Sequence, residues 1–310
     1  PSFCRHLHFS VQSGCNKVLN SMKRPYSSEK LKKAISALYK ELPDIMLTAD
    51  IISGFPGESE EDFEETLGFI TQSRFMHIHA FPYSVRPGTV AAEMDGQIPE
   101  CVKKERNLKI IGESERIKKE IALSLMNKKA KEIGANNTVF TSSHGIYDSS
   151  STPKTTAQDM AKIIEYAMKF DEFKTLMGQT SYSYTKNSQT YSWKNINLLL
   201  DRSSAQYYNA NATGAHFGFH DKITDTKNYG SYLIATYSAK SGNFLAITMG
   251  SKVSGDDNAS FYKAFLESNE LYKWASTNFE DRVLLESGKN LGEVKLRLAK
   301  GGKDYLRIQT

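Results

Sequence analysis

The sequence predicts a multi-domain chain in which an α/β segment is followed by an α+β segment. Three observations predict it. Apolar, β-rich runs alternate with helical periods at roughly 30–40 residues per unit through the first part. Later, helices and paired strands are grouped instead of alternating. Composition also changes sharply at residue 120. Residues 1–120 hold 17 basic and 17 acidic side chains and residues 121–310 hold 23 and 18, so the net charge of +5 belongs wholly to the second part. All three cysteines and seven of the eight prolines fall in the first part, whereas both tryptophans and 13 of the 16 tyrosines fall in the second.

The totals exclude several classes. A net charge of +5 on 310 residues is too mild to point to nucleic acid. With 39% hydrophobic residues and a mean hydropathy of −0.48 there is material for a core. No run of 18 apolar residues exists, so no membrane span is expected. No secretory signal is visible, and a start at Pro1 instead of Met suggests that the true beginning lies upstream. Cys4, Cys15 and Cys101 are too widely spaced for a disulfide framework or a zinc site. Unremarkable reduced thiols are expected.

Residues 6–11 (HLHFSV) suit a strand. Residues 29–41 suit a helix with Leu31, Ala34, Ile35 and Leu38 on one face. Residues 45–53 (IMLTADIIS) are a β-branched run of the kind buried in parallel sheets. Ser59 and Asp62 offer a capping-box-like start to a helix carrying Phe63, Leu67 and Ile70. Residues 77–83 (HIHAFPY) read as a third strand. Three parallel strands cannot close a barrel, so sheet edges are expected to stay unpaired. The turn Gly54 to Glu58 (GFPGE) follows the second strand and precedes a helix, where α/β folds face their ligands. Its glycines serve either a tight turn or close approach of a cofactor. Gln12, Ser13 and Gly14 hold the equivalent place after the first strand.

The stretches HLHFSVQSGCNKVLNSMKRPYS, TADIISGFPGESEEDFEETLGFI and HIHAFPYSVRPGTVAAEMDGQIP occur in that order. Through about residue 118 they resemble radical SAM methylthiotransferases that modify tRNA, most of all the threonylcarbamoyladenosine type. The resemblance implies the later strands and helices of a partial TIM-like barrel, with tRNA as substrate. It places Gln12, Ser13, Asp50, Ile52 and Gly54 near S-adenosylmethionine. The family's CxxxCxxC motif for its [4Fe–4S] cluster is absent, as are its N-terminal domain and its C-terminal RNA-binding domain. No cofactor is therefore expected in this chain, and no metal ligand is assigned.

From Pro99 to Gly134 about 35 residues run without a strong helix stop, against a usual 8–20. This is either one long helix with Gly112 as a weak point or two helices spliced in frame. The first resemblance fades near Ile117 and a second begins near Ser124, which favours a splice within 117–124.

Farther on, Thr155 with Gln158 and Thr156 with Asp159 cap a helix carrying Met160, Ile163, Ile164, Ala167 and Met168. Residues 230–239 and 243–250 read as a hairpin joined through Lys240 to Asn243. Residues 256–275 read as an amphipathic helix. The short runs VLLE, EVKLRLA and DYLRIQ read as small antiparallel strands. SLMNKKAKEIGANNTVFTSSHGIYD, TTAQDMAKIIEYAM, SWKNINLLL and ATGAHFGFHDK with YGSYLIATYSAKSGNFLAITMGS resemble serine D-alanyl-D-alanine carboxypeptidases, the low-molecular-weight penicillin-binding proteins. The resemblance implies a penicillin-binding/β-lactamase-like fold over 121–275 and the start of a C-terminal β-domain over 276–310, after the radical SAM-like 1–120. Its partners would be a peptidoglycan stem peptide or a β-lactam.

That family attacks with a Ser activated by a Lys in S-x-x-K, helped by S-x-N and K-T-G. S-x-x-K occurs at Ser27–Lys30, Ser151–Lys154 and Ser183–Lys186, in no appropriate context. Ser241-Gly242-Asn243 spells S-x-N inside the hairpin turn. The K-T-G position reads His216-Phe217-Gly218, leaving His216 and Gly218 as the degenerate catalytic candidates. Asn195 and His144 read as fold-holding polar residues. The expectation is an in-frame fusion of two fragments with neither active site complete. The alternatives are a penicillin-binding enzyme or pseudoenzyme and a tRNA methylthiotransferase. The compartments conflict too: the chain as it stands suggests the cytoplasm, the second family the cell envelope.

Overall fold

The computed structural model describes residues 4–143, 145, 153–219, 230–240, 242–252 and 262–279, and the strands at 290–295 and 305–309. His144, Ser151, Ser241, the VLLE run and the start of the 256–275 helix lie outside the described residues. The chain divides into two compact units, Pro1–Thr155 and Thr156–Thr310.

In the first unit, β1 (His6–Gln12), β2 (Met46–Ser53) and β3 (His77–Pro82) form a parallel sheet in the order β1-β2-β3. The connections run through α1 (Asn16–Ser21), α2 (Ser28–Glu41) and α3 (Glu60–Ser73). After them come the short α4 (Val90–Glu93) and the long α5 (Glu100–Glu132). Leu47, Ala49 and Ile51 alternate along β2 into a core with Val11, Phe63, Phe69 and Ile110. Each of the larger side chains, fully buried, contributes about 1.5–3 kcal/mol, and Ala49 less. Thr48 and Asp50, one residue out of phase, face the other way. Ser59 and Asp62 do form a capping box at the start of α3. Ser27 caps α2 by accepting from the Lys30 amide, so its hydroxyl has a structural task.

The single helix α5 spans the stretch where two readings stood open. Its buried positions Lys103, Arg106, Ile110, Ser114 and Ile117 recur at helical spacing and meet the sheet and α3. From residue 118 to 129 the helix has no buried residue; the next is Ala130. Gly134 follows with φ +79° and donates to the Lys131 carbonyl, closing the end as a glycine can.

The second unit begins with α6 (Ala157–Ala167), capped by Thr156, and α7 (Asp171–Gly178). An antiparallel hairpin follows, β4 (Ser181–Lys186) and β5 (Gln189–Lys194), with both strands exposed. Tyr182, Tyr184, Tyr191 and Trp193 alternate with Ser and Thr along it and share one face. β6 (Ala212–Phe219), β7 (Gly230–Ala239) and β8 (Gly242–Lys252) form an antiparallel sheet in that order. It packs on α8 (Lys263–Asn278) through Phe217, Leu233, Tyr237 and Phe265. β9 (Asn290–Lys295) and β10 (Tyr305–Gln309) pair antiparallel, as the tail pattern predicts.

Candidate functional site

The carboxyl ends of the parallel strands border a cavity of about 540 Å³ in the first unit. Gln12, Asp50 and Ile52, three of the five residues expected near the cofactor, line it together with Tyr83 and Arg86. Gln12 sits where β1 loses register with β2, at φ +69°. A left-handed glutamine is an uncommon conformation that the surrounding structure must enforce. Asp50 and Ile52 share the exposed face of β2 by strand alternation. The Asp50 carboxylate accepts from His8 Nε2 at 3.0 Å.

Ser13 and Gly54 do not line this cavity. Ser13 is fully buried, its hydroxyl 3.0 Å from Thr66 Oγ1 and accepting from the Cys15 amide. Gly54 has φ +73°, and a Cβ there would fall 2.5 Å from Lys103 Cγ. Its N–H donates to Glu58 Oε2 at 2.7 Å. Glu58 is buried and receives Arg106 Nη1 at 2.9 Å, while the other Arg106 terminal nitrogen donates to Glu60. Burial pushes the Glu58 carboxyl above its ordinary value, against the pull of the Gly54 amide and Arg106. Glu58 and Arg106 are residues that sequence reasoning missed. They lie 48 positions apart, and only the acidic end of GFPGE hinted at one of them.

The cysteines do not fit an iron–sulfur cluster. Cys15 is buried and its thiol donates to Asp62 Oδ1 at 3.4 Å. Burial, with Glu65 and Asp62 nearby, pushes that thiol up to about 11, far from the thiolate a cluster needs. Cys4 and Cys101 are exposed. Among the described residues no three His, Cys, Asp or Glu groups are already placed to hold a metal.

In the second unit His216 and Gly218 lie on one face of β6, and Ala215 and Phe217 on the other. Phe217 is buried, its ring centroid 4.7 Å from that of Phe265. The residue at the hydroxyl position of K-T-G is thus a core residue. His216 Nε2 lies 3.3 Å from Tyr232 Oη. Burial of part of the ring lowers its pKa from the ordinary histidine value, which makes it a weaker anchor for a carboxylate than the lysine of K-T-G. Ser183 and Lys186 are three apart on one strand and point to opposite faces. Ser183 instead meets Ser192 across the hairpin. Asn195 donates to the Gln179 carbonyl and accepts from the Asn197 amide, stapling the loop after β5.

Residues 2–70 match the family model of the radical SAM superfamily, and residues 119–253 that of D-alanyl-D-alanine carboxypeptidase. The threonylcarbamoyladenosine tRNA methylthiotransferase MtaB of Bacillus subtilis is 46% identical over 123 residues, 40% of this chain and 27% of that protein. A tRNA-2-methylthio-N(6)-dimethylallyladenosine synthase of Acetivibrio thermocellus is 44% identical over 125 residues, 40% of this chain and 26% of that protein. The chain thus spans about a quarter of the curated relatives it matches. A solved D-alanyl-D-alanine carboxypeptidase from Mycobacterium tuberculosis aligns over 54% of this chain and 58% of that one, at 17% identity and a TM-score of 0.41. The chain therefore joins a radical SAM methylthiotransferase-like fragment to a D-alanyl-D-alanine carboxypeptidase-like fragment.

Proposed function

We propose that this chain performs neither parent chemistry: among the described residues neither candidate site gathers the reactive groups its chemistry needs, and that observation carries the reading. On the first side Cys15 is held as a buried thiol against Asp62. On the second, His216 and a buried Phe217 stand at the K-T-G position, with Ser183 and Lys186 on opposite strand faces. The seam falls within 117–124, between a partial TIM-like barrel over 1–120 and a carboxypeptidase-like part over 121–275, with a further β-domain begun at 276–310. The match to the carboxypeptidase family model begins at residue 119, which supports that placement. Neither tRNA nor a stem peptide is turned over.

The test is direct. Incubation with a fluorescent β-lactam is expected to leave the chain unlabelled, and anaerobic iron–sulfur reconstitution to yield no charge-transfer absorbance. A covalent β-lactam adduct, or a reconstituted cluster that cleaves S-adenosylmethionine, overturns the reading.

The cavity favours a second reading, retained binding of S-adenosylmethionine without cleavage. Gln12, Asp50 and Ile52 line it. Calorimetric titration is expected to show binding that Asp50→Ala weakens at least tenfold. Equal affinity in the variant removes this reading.

A further inference from the structure

We propose that the aromatic face of the β4–β5 hairpin is a stacking platform for single-stranded nucleic acid. Strand register builds that face. Tyr182 pairs with Trp193, Tyr184 with Tyr191 and Lys186 with Gln189, so four rings, one cation and one amide share a side. The four rings are between 43% and 55% exposed. Trp193 lies at 26° to Tyr182 and at 18° to Tyr191, with ring centroids 5.9 and 6.3 Å away. The three rings thus offer near-parallel planes, and bases stack on such rings whatever their sequence because every base has a π-face.

Charge and area choose this occupant. No Asp or Glu occurs between Glu172 and Asp201, and Lys186 stands at the turn end of the ring face, so the face suits an anionic chain. A neutral glycan would leave that cation without a counter-charge. A bilayer would be met by the hairpin tip, and the tip, Lys186 to Gln189, is polar. A second copy would set two acid-free faces together, and four half-exposed rings cover only about 400 Å² a side, roughly half of what a standard interface buries. Trp193 also borders a cavity of about 650 Å³ that Asn197 and Arg202 help to line. Asn197 is buried, and its Nδ2 has no acceptor among the described residues. A cavity with a leftover donor and a guanidinium in its lining suits a phosphate or base oxygen.

Fluorescence anisotropy of a labelled oligothymidylate of about 12 nucleotides, titrated with the full chain at low salt, is expected to show binding that Tyr191→Ala/Trp193→Ala weakens at least tenfold. Lys186→Gln is expected to flatten the salt dependence of that binding. No binding, or equal affinity in the double variant, overturns the proposal. Should the double variant not fold, Trp274→Phe leaves Trp193 as the sole tryptophan of the chain. Its emission is expected to fall as the oligonucleotide binds, and emission unchanged at saturation overturns the proposal. Quenching by phosphatidylserine vesicles or by a neutral oligosaccharide, with none by the oligonucleotide, also overturns it and names a bilayer or a glycan as the occupant.

Discussion

Tyr232 occupies the space that a side chain at Gly218 would need: the two pair directly across β6 and β7, and a Cβ on Gly218 would lie 2.2 Å from the Tyr232 ring. The same tyrosine reaches His216. Gly218→Ala therefore forces the ring aside and breaks the tyrosine–histidine contact, an overpacking cost of about 1–3 kcal/mol. Thermal unfolding should show a lowered Tm for Gly218→Ala. In a Tyr232→Ala background the same change should cost little. Equal losses in both backgrounds would show that the ring is not the obstacle.

Native thiol chemistry should distinguish the cysteines. Cys15 is buried with its thiol at about 11, so almost none is thiolate near neutral pH. Cys4 and Cys101 are exposed. Iodoacetamide should modify two sites per folded chain within the time that modifies the third only after denaturation. Three equally fast additions by mass spectrometry would contradict the burial of Cys15.

Much of the fold was legible because local chemistry and burial agree. The β2 run alternates faultlessly around buried Leu47, Ala49 and Ile51, and Ser59 with Asp62 announces α3. The hairpin β4–β5 was not legible, because Tyr182, Tyr184, Tyr191 and Trp193 are exposed and its other face is Ser and Thr. The aromatic residues do alternate at a strand period, but neither face is buried, so the pattern marks no core strand. In the first site, Gln12, Asp50 and Ile52 were named from resemblance and the chain does bring them to one cavity. The left-handed φ of Gln12 and the Arg106–Glu58 pair are products of tertiary packing, which no local pattern encodes.

Asp62 should make the first unit acid-sensitive. Burial raises its pKa, but Lys17 Nζ at 2.6 Å and the Ser59 amide at 2.8 Å outweigh that and hold it at about 2. A carboxylate depressed on folding adds stability that is present above its unfolded value of 3.8 and is lost as pH falls toward about 2. Lys17 is itself 61% exposed. Solvent screening therefore trims the contribution to about 1–2 kcal/mol. Denaturant titrations across that window should show the loss in the wild type and a flatter profile in Asp62→Asn. Parallel profiles would assign the acid sensitivity elsewhere.

Arg106 and Glu58 supply the sharpest test of the loop that shapes the first site. Glu58 Oε2 accepts from both Arg106 and the Gly54 amide, and both charged residues are buried. Arg106→Ala strands the carboxylate, a loss of about 3–5 kcal/mol. Glu58→Gln/Arg106→Met should lose less, because the amide oxygen still receives the Gly54 N–H and no charge is left uncompensated. The pH dependence distinguishes a stranded charge from mere lost packing. A carboxyl whose pKa is raised on folding binds its proton more readily in the folded state, so its fold gains stability as pH falls. Urea unfolding of Arg106→Ala should accordingly show partial rescue as pH is lowered from about 7 to about 5, where the double variant shows none. A single variant as pH-insensitive as the double one would mean that Glu58 stays ionised in the variant's fold across that window, and that the loss is one of packing.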